Sequence, residues 1–190
     1  MKSKVKKLKK LKGSGYENIS LKTIPVTPSK TTRLAEVYKI APEQIRDNLA
    51  KMELQLRSKE EEHAYVYTPS GVVYHFIGDD ECVDPRIIGA KKLEGSITTH
   101  NHTNENGPSR ADFIFSAANK IAETRVVSSK QTFILKVKPY HFDITGAGFA
   151  YAEALGNTVN ASYGAENEND LTMQELTKLF TASVEYRKEF

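Results

Sequence analysis

Cysteine is almost missing from this chain, with Cys82 the only one in 190 residues. A single thiol excludes an internal disulfide framework and any multi-cysteine zinc site, and it fits a reducing compartment. Long apolar runs are missing too, since none approaches the roughly 20 residues that a membrane-spanning helix requires. The start of the chain also lacks the hydrophobic stretch of a secretory signal. A soluble, cytoplasmic protein is therefore expected. Acids are absent from residues 1 to 12, which hold seven lysines. The 27 basic side chains less those seven leave 20 against 24 acids, so a formal charge of +3 conceals a remainder at −4. No aromatic residue interleaves the lysines, and the run is expected to be a solvated tail able to contact an acidic partner or nucleic acid through Lys2 to Lys12. Internal repeats and low-complexity blocks are absent as well.

What is present suffices for one domain of ordinary size with tails. Gly13-Ser-Gly15 and Pro25-Val-Thr-Pro28 mark residues 1–32 as basic disordered tail and linker. Residues 33–58 read as a helical extension, with Pro42 in a first turn and Ile45, Leu49, Met52 and Leu56 on one face. The β-branched and aromatic runs Ala64–Thr68 and Val72–Ile77, joined by Pro69-Ser-Gly71, predict a hairpin. A short helix over Asp84–Leu93, a strand from Ser96 to His100 and a helix over Ala111–Glu123 follow. Two further strands fall at Arg125–Val127 and Thr132–Val137. Residues 141–190 read as a loop-rich segment through Asn169 and then a C-terminal helix, capped by Asp170, with Met173, Leu176, Phe180 and Val184 as its stripe. The expected class is α+β, with one mixed sheet flanked by helices and with helical N- and C-terminal extensions.

Gly95 to Asp112 carries the chemistry. Along a strand, residues two apart project to the same side, so His100 and His102 can grip one ion together. Pro108 to Asp112 resembles a helix start, which offers Asp112 as a third ligand. Two imidazoles and a carboxylate leave a fourth position for water, which suits catalytic rather than structural zinc. Ser109-x-x-Asp112 also fits a capping box, and the two readings are compatible. His63 and His75 lie in or beside strands and read as structural, while His141 with Asp143 is a weaker ligand candidate in coil. The carboxylate runs Glu60–Glu62 and Asp79–Glu81 read by default as solvated loops. Amidohydrolase-type and histidinol-phosphatase-type sites need more downstream histidines than His141, and the letters His-Asn-His do not make a ββα nuclease.

Three segments, Glu62-His-Ala-Tyr-Val-Tyr-Thr-Pro-Ser-Gly71, Thr99-His-Asn-His102 and Ser109-Arg-Ala-Asp112, together resemble the JAB/MPN (JAMM) metallopeptidase superfamily. The likeness spans about residues 60 to 138. It is nearest to the bacterial and phage branch, with its RadC-like proteins and the C-terminal domains of some phage minor head proteins. The resemblance implies a JAB/MPN-like, cytidine-deaminase-like fold over residues 59–140. It further implies Zn²⁺ held by His100, His102 and Asp112, with Glu62 as general base and acid and Ser109 as donor to the oxyanion. The implied reaction is hydrolysis of a peptide or isopeptide bond in a protein or peptide substrate. Glu61 is the alternative base, but only Glu62 stands in register with the Glu-x-Ala-x-Val pattern. The sequence departs from the family pattern in having Thr103 where proline is usual, and six residues rather than seven between His102 and Ser109. A second expectation, from another class, is a phage or prophage head-assembly protein, virion-associated, that keeps the domain with a weak or idle metal site.

Overall fold

Strand formation in this chain follows its β-branched and aromatic runs. The computed structural model describes residues 32–79, 82–103, 106–139, 141–162 and 168–189. The basic tail and nearly all of the linker, residues 1–31, lie outside the described residues, as do Asp80 and Glu81. Seven strands form one sheet: β1 (Arg33–Lys39), β2 (His63–Tyr67), β3 (Val72–Ile77), β4 (Ile97–Asn101), β5 (Glu123–Val127), β6 (Thr132–Val137) and β7 (Val184–Glu189). Their spatial order is β1-β3-β2-β4-β5-β6-β7. Every neighbouring pair is antiparallel except β4 and β5, which run parallel and are joined through helix α3 (Arg110–Ala118). The sheet is mixed, as expected.

The predicted β2–β3 hairpin is present, and Gly71 closes it at φ +81°, where a Cβ would lie 2.1 Å from the Ile40 carbonyl oxygen. Alternation along the strands then divides the core in two. One face presents Tyr65, Tyr67, Val73 and Val127 to Leu49 and Leu56 of helix α1 (Ile45–Leu56). The other presents Ala64, Val66 and Phe76 to Leu93, at the end of the short helix α2 (Ala90–Leu93), and to Ile121. On that same face Leu135, Val137 and Val184 pack with Phe113 of α3, with Ala147, Ala150 and Ala154 of α4 (Ile144–Ser162), and with Met173 and Leu176 of α5 (Glu168–Leu179).

Five sequence expectations are corrected. The helix expected over Ala111–Glu123 ends at Ala118, and Glu123 opens β5. Residues 33–39 are not helical but form β1, paired with β3. Proline disfavours the α region in the residue before it, so the helical pattern cannot extend upstream of Pro42; Ala41 is extended at φ −68°, ψ 139°. The helix expected over Asp84–Leu93 splits into a 3-10 turn, Pro85–Ile88, and α2, because Gly89 interrupts it at φ +86°. Residues 144–162 form α4 rather than loops: its glycines suggested irregularity, yet Ala147, Ala150, Tyr151 and Ala154 supply a helical stripe that tertiary packing buries. The C-terminal helix stops at Leu179, and Val184 opens β7 on the free edge of β6. Asp170 lies within the first turn of α5 and accepts hydrogen bonds from Tyr186 Oη and Lys188 Nζ at 2.6 Å each.

Candidate metal centre

The register of β2 against β4 sets Ala64 opposite His100. Directly opposed residues share a face, and Glu62 is two residues before Ala64, so Glu62, His100 and His102 all turn towards α3. Past Asn101 the chain leaves β2, and the His102 N–H donates to the Val127 carbonyl at 3.0 Å. Gly107 is buried against β6 and β7, where a Cβ would meet Tyr186 Oη at 3.0 Å and Phe133 at 3.3 Å.

Ser109 caps α3 and brings Asp112 into the cluster. The Ser109 N–H and Oγ donate to Asp112 Oδ2 at 2.6 and 2.7 Å, and Oγ accepts from the Asp112 N–H at 3.2 Å. This reciprocal capping orients the carboxylate. His100 Nε2 lies 3.2 Å from His102 Nε2 and 3.2 Å from Asp112 Oδ1, while His102 Nε2 lies 3.5 Å from Asp112 Oδ2. Ligand atoms at about 2.0–2.1 Å from a tetrahedral ion stand about 3.3 Å apart, so these separations fit one small cation. Among the described residues, His100, His102 and Asp112 are the group able to hold a metal ion.

The surroundings support the same ligand set. His102 Nδ1 lies 3.1 Å from the Asn106 carbonyl oxygen. A carbonyl only accepts, so Nδ1 carries the proton and Nε2 of the neutral ring offers its lone pair to the cluster. Without a cation, the Asp112 carboxylate plays the opposite charge. Burial disfavours the charged form of His102, but the hydrogen bond and charge of Asp112, with Glu62 adding, raise its pKa above the usual histidine range. Burial likewise opposes ionised Asp112, yet the charges and hydrogen bonds of His100 and His102 hold it well below the usual carboxylate range.

Glu62 is buried beside them at 9% exposure, whereas Glu61 points to solvent. Burial pushes the Glu62 pKa up and Asp112 adds to this, against the lowering effects of the two histidines and of the Val83 N–H. Alternation thus turns Glu62, and not Glu61, towards the two histidines. His63 and His75 are a stacked pair joined through Nδ1 and Nε2 at 3.0 Å, on the α1 side of the sheet with Tyr65. Burial, with His63 and nearby cations, pushes His75 down to about 4, as suits a structural histidine. His141 is exposed and pairs with Ser183.

The structure brings together Glu62, His100, His102, Ser109 and Asp112. Sequence reasoning missed the Asn106 carbonyl, which is a backbone group that no motif marks. It also missed Tyr186 and Phe133 behind the loop, because they come from distant strands. Compared with protein-family models, curated proteins and solved structures, the chain matches none of them.

Proposed function

We propose that this protein is a zinc-dependent metallopeptidase or isopeptidase of the JAB/MPN type. The observation that carries the reading is the triangle of His100 Nε2, His102 Nε2 and Asp112, with edges of 3.2 to 3.5 Å, beside the buried carboxyl group of Glu62. Two imidazoles, one carboxylate and an open position form a hydrolytic zinc set, and Zn²⁺ held there would polarise a carbonyl and lower the pKa of water to about 7.

The chain's own residues have separate tasks. Glu62, its pKa raised first by burial, suits a group that takes a proton from water and returns it to the leaving amine. His102 is oriented by the Asn106 carbonyl, and Asp112 by Ser109. Ser109 spends its hydroxyl proton on Asp112, so donation to an oxyanion requires that hydroxyl to turn away. A protein or peptide substrate is what the resemblance to the JAB/MPN superfamily implies for this site.

Elemental analysis of purified protein beside His102→Ala tests the reading. About one zinc per chain in the wild type and none in the variant is expected. Glu62→Gln should keep the metal and lose about 10²- to 10⁴-fold in hydrolysis of unstructured polypeptides and lysine-linked isopeptides. A wild type that takes up no metal even when zinc is supplied sinks the proposal.

A further inference from the structure

We propose that Asn101, the residue between the two histidines, is a positioning residue that holds Glu62 against the His100–His102–Asp112 cluster by clamping the backbone on both sides of it. Strand alternation sends the Asn101 side chain away from the cluster, to the α1 face of the sheet. Asn101 is almost fully buried, at 1% exposure. Its Oδ1 accepts the His63 N–H at 2.8 Å, and its Nδ2 donates to the Glu61 carbonyl at 3.0 Å and to the Lys59 carbonyl at 3.4 Å. Carbonyls only accept and the N–H only donates, so these partners determine which way the amide is turned. Two of the three bonds fall on the residues flanking Glu62.

The register explains why a side chain is needed. Ala64 pairs with His100, so His63 would next face Asn101, but the ladder of β2 with β4 ends at that pair and the His63 N–H goes to the Asn101 side chain. Asn101 continues with its side chain the pairing that the backbone drops. On the other flank, the Glu62 N–H donates to Asp79 O at 2.7 Å and the Glu62 carbonyl accepts the Gly78 N–H at 2.8 Å. Glu62 is thereby held from the β3 side by main chain and from the β4 side by Asn101. Only an amide of this length offers one acceptor and two donors there: aspartate would repel both carbonyls, and serine would supply a single donor.

The inference rests on the reading of Glu62 as the proton-transfer group, so its test pairs a metal-free readout with a metal-loaded one. Amide hydrogen exchange is compared between the metal-free full chain and Asn101→Leu. The His63 amide is expected to exchange about tenfold faster in the variant, with β5 and β6 unchanged. The same proteins are then loaded with Co²⁺, and their visible spectra are set beside that of Glu62→Gln. Asn101→Leu should reproduce the spectral change of Glu62→Gln while Co²⁺ affinity stays within about tenfold of wild type, because Asn101 touches no ligand side chain.

Unchanged exchange at His63 overturns the clamp. Faster exchange with a wild-type cobalt spectrum makes Asn101 structural only and overturns the positioning role. If the wild type binds no Co²⁺, the hydrolase reading falls, and the exchange result by itself decides the clamp. If Asn101→Leu does not fold, Asn101→Asp, which keeps the acceptor for His63 but repels the two carbonyls, carries the spectral readout.

Discussion

At Ser109 two roles compete for one proton, because the hydroxyl that would meet an oxyanion now donates to Asp112. Ser109→Ala separates them. If the serine mainly orients Asp112, zinc affinity should drop about 10- to 100-fold, as when other outer-shell partners of metal ligands are removed. If it mainly serves the oxyanion, turnover should fall about 10²- to 10³-fold at unchanged affinity. A chelator competition assay beside an activity assay distinguishes the outcomes. The His102–Asp112 pair makes a second prediction. A metal displaces the His102 proton, so zinc affinity should fall about tenfold per pH unit below the raised pKa of His102 and level off above it. A competition titration showing no slope between about pH 5 and 8 would refute this.

The same pair predicts the stability of the metal-free protein. His102, with its pKa raised on folding, contributes stability that is full below about pH 6.5 and is lost as pH rises through the folded value. Asp112, with its pKa depressed, contributes stability present above about pH 3.9 and lost as pH falls through its folded value. The pair therefore favours folding most between about pH 4 and 6.5. Of the site residues themselves, sequence spacing supplied the histidines, the cap and the carboxylates. Neighbours such as Asn106 were not legible, since a loop's main chain acquires a role only from where the loop comes to rest.

At the scale of elements, a buried charge network ties α1 to the sheet on the side away from the His100–His102–Asp112 cluster. Arg125 of β5 donates to Glu53 of α1 at 2.5 Å, to Glu123 at 2.8 Å and to Glu189 of β7 at 2.9 Å. Arg46 of α1 adds a bond to Glu123 at 2.7 Å. Burial would raise the Glu123 pKa, but Arg46 and Arg125 bring it down to about 2. Arg125→Leu should cost about 3–5 kcal/mol in urea unfolding, because it leaves Glu53 and Glu123 buried with their charges poorly compensated. A loss under about 1 kcal/mol would mean that water reaches those carboxylates. The element errors made from sequence share one cause. Strands β1 and β7 are edge strands recruited by the open sides of β3 and β6, and α4 is stabilised by the layer it joins. None of these neighbours is visible in a local window.

For the whole molecule, charge is divided by sequence position. Removing residues 1–12 deletes seven lysines and takes the formal charge from +3 to −4. The 190-residue chain should therefore bind single-stranded nucleic acid or an anionic resin in a salt-sensitive way, and the shortened chain should not. Equal retention of both would show that the tail is not the contact. Zinc uptake should be the same in both, since the cluster draws on the end of β4 and on α3. Among the described residues, no helix is long and apolar enough to cross a membrane.

By itself the sequence determined the α+β class, the central hairpin and the gathering of His100, His102 and Asp112, because alternation, turn chemistry and capping act within a few residues. It also determined that one cation site was possible, through two histidines on one side of a strand and a carboxylate at a helix start. Only the tertiary structure decided the sheet's edges, the helix at 144–162, and the burial of Glu62 beside the two histidines. These depend on which surfaces meet, and burial, register and a low local dielectric exist only once distant strands have paired.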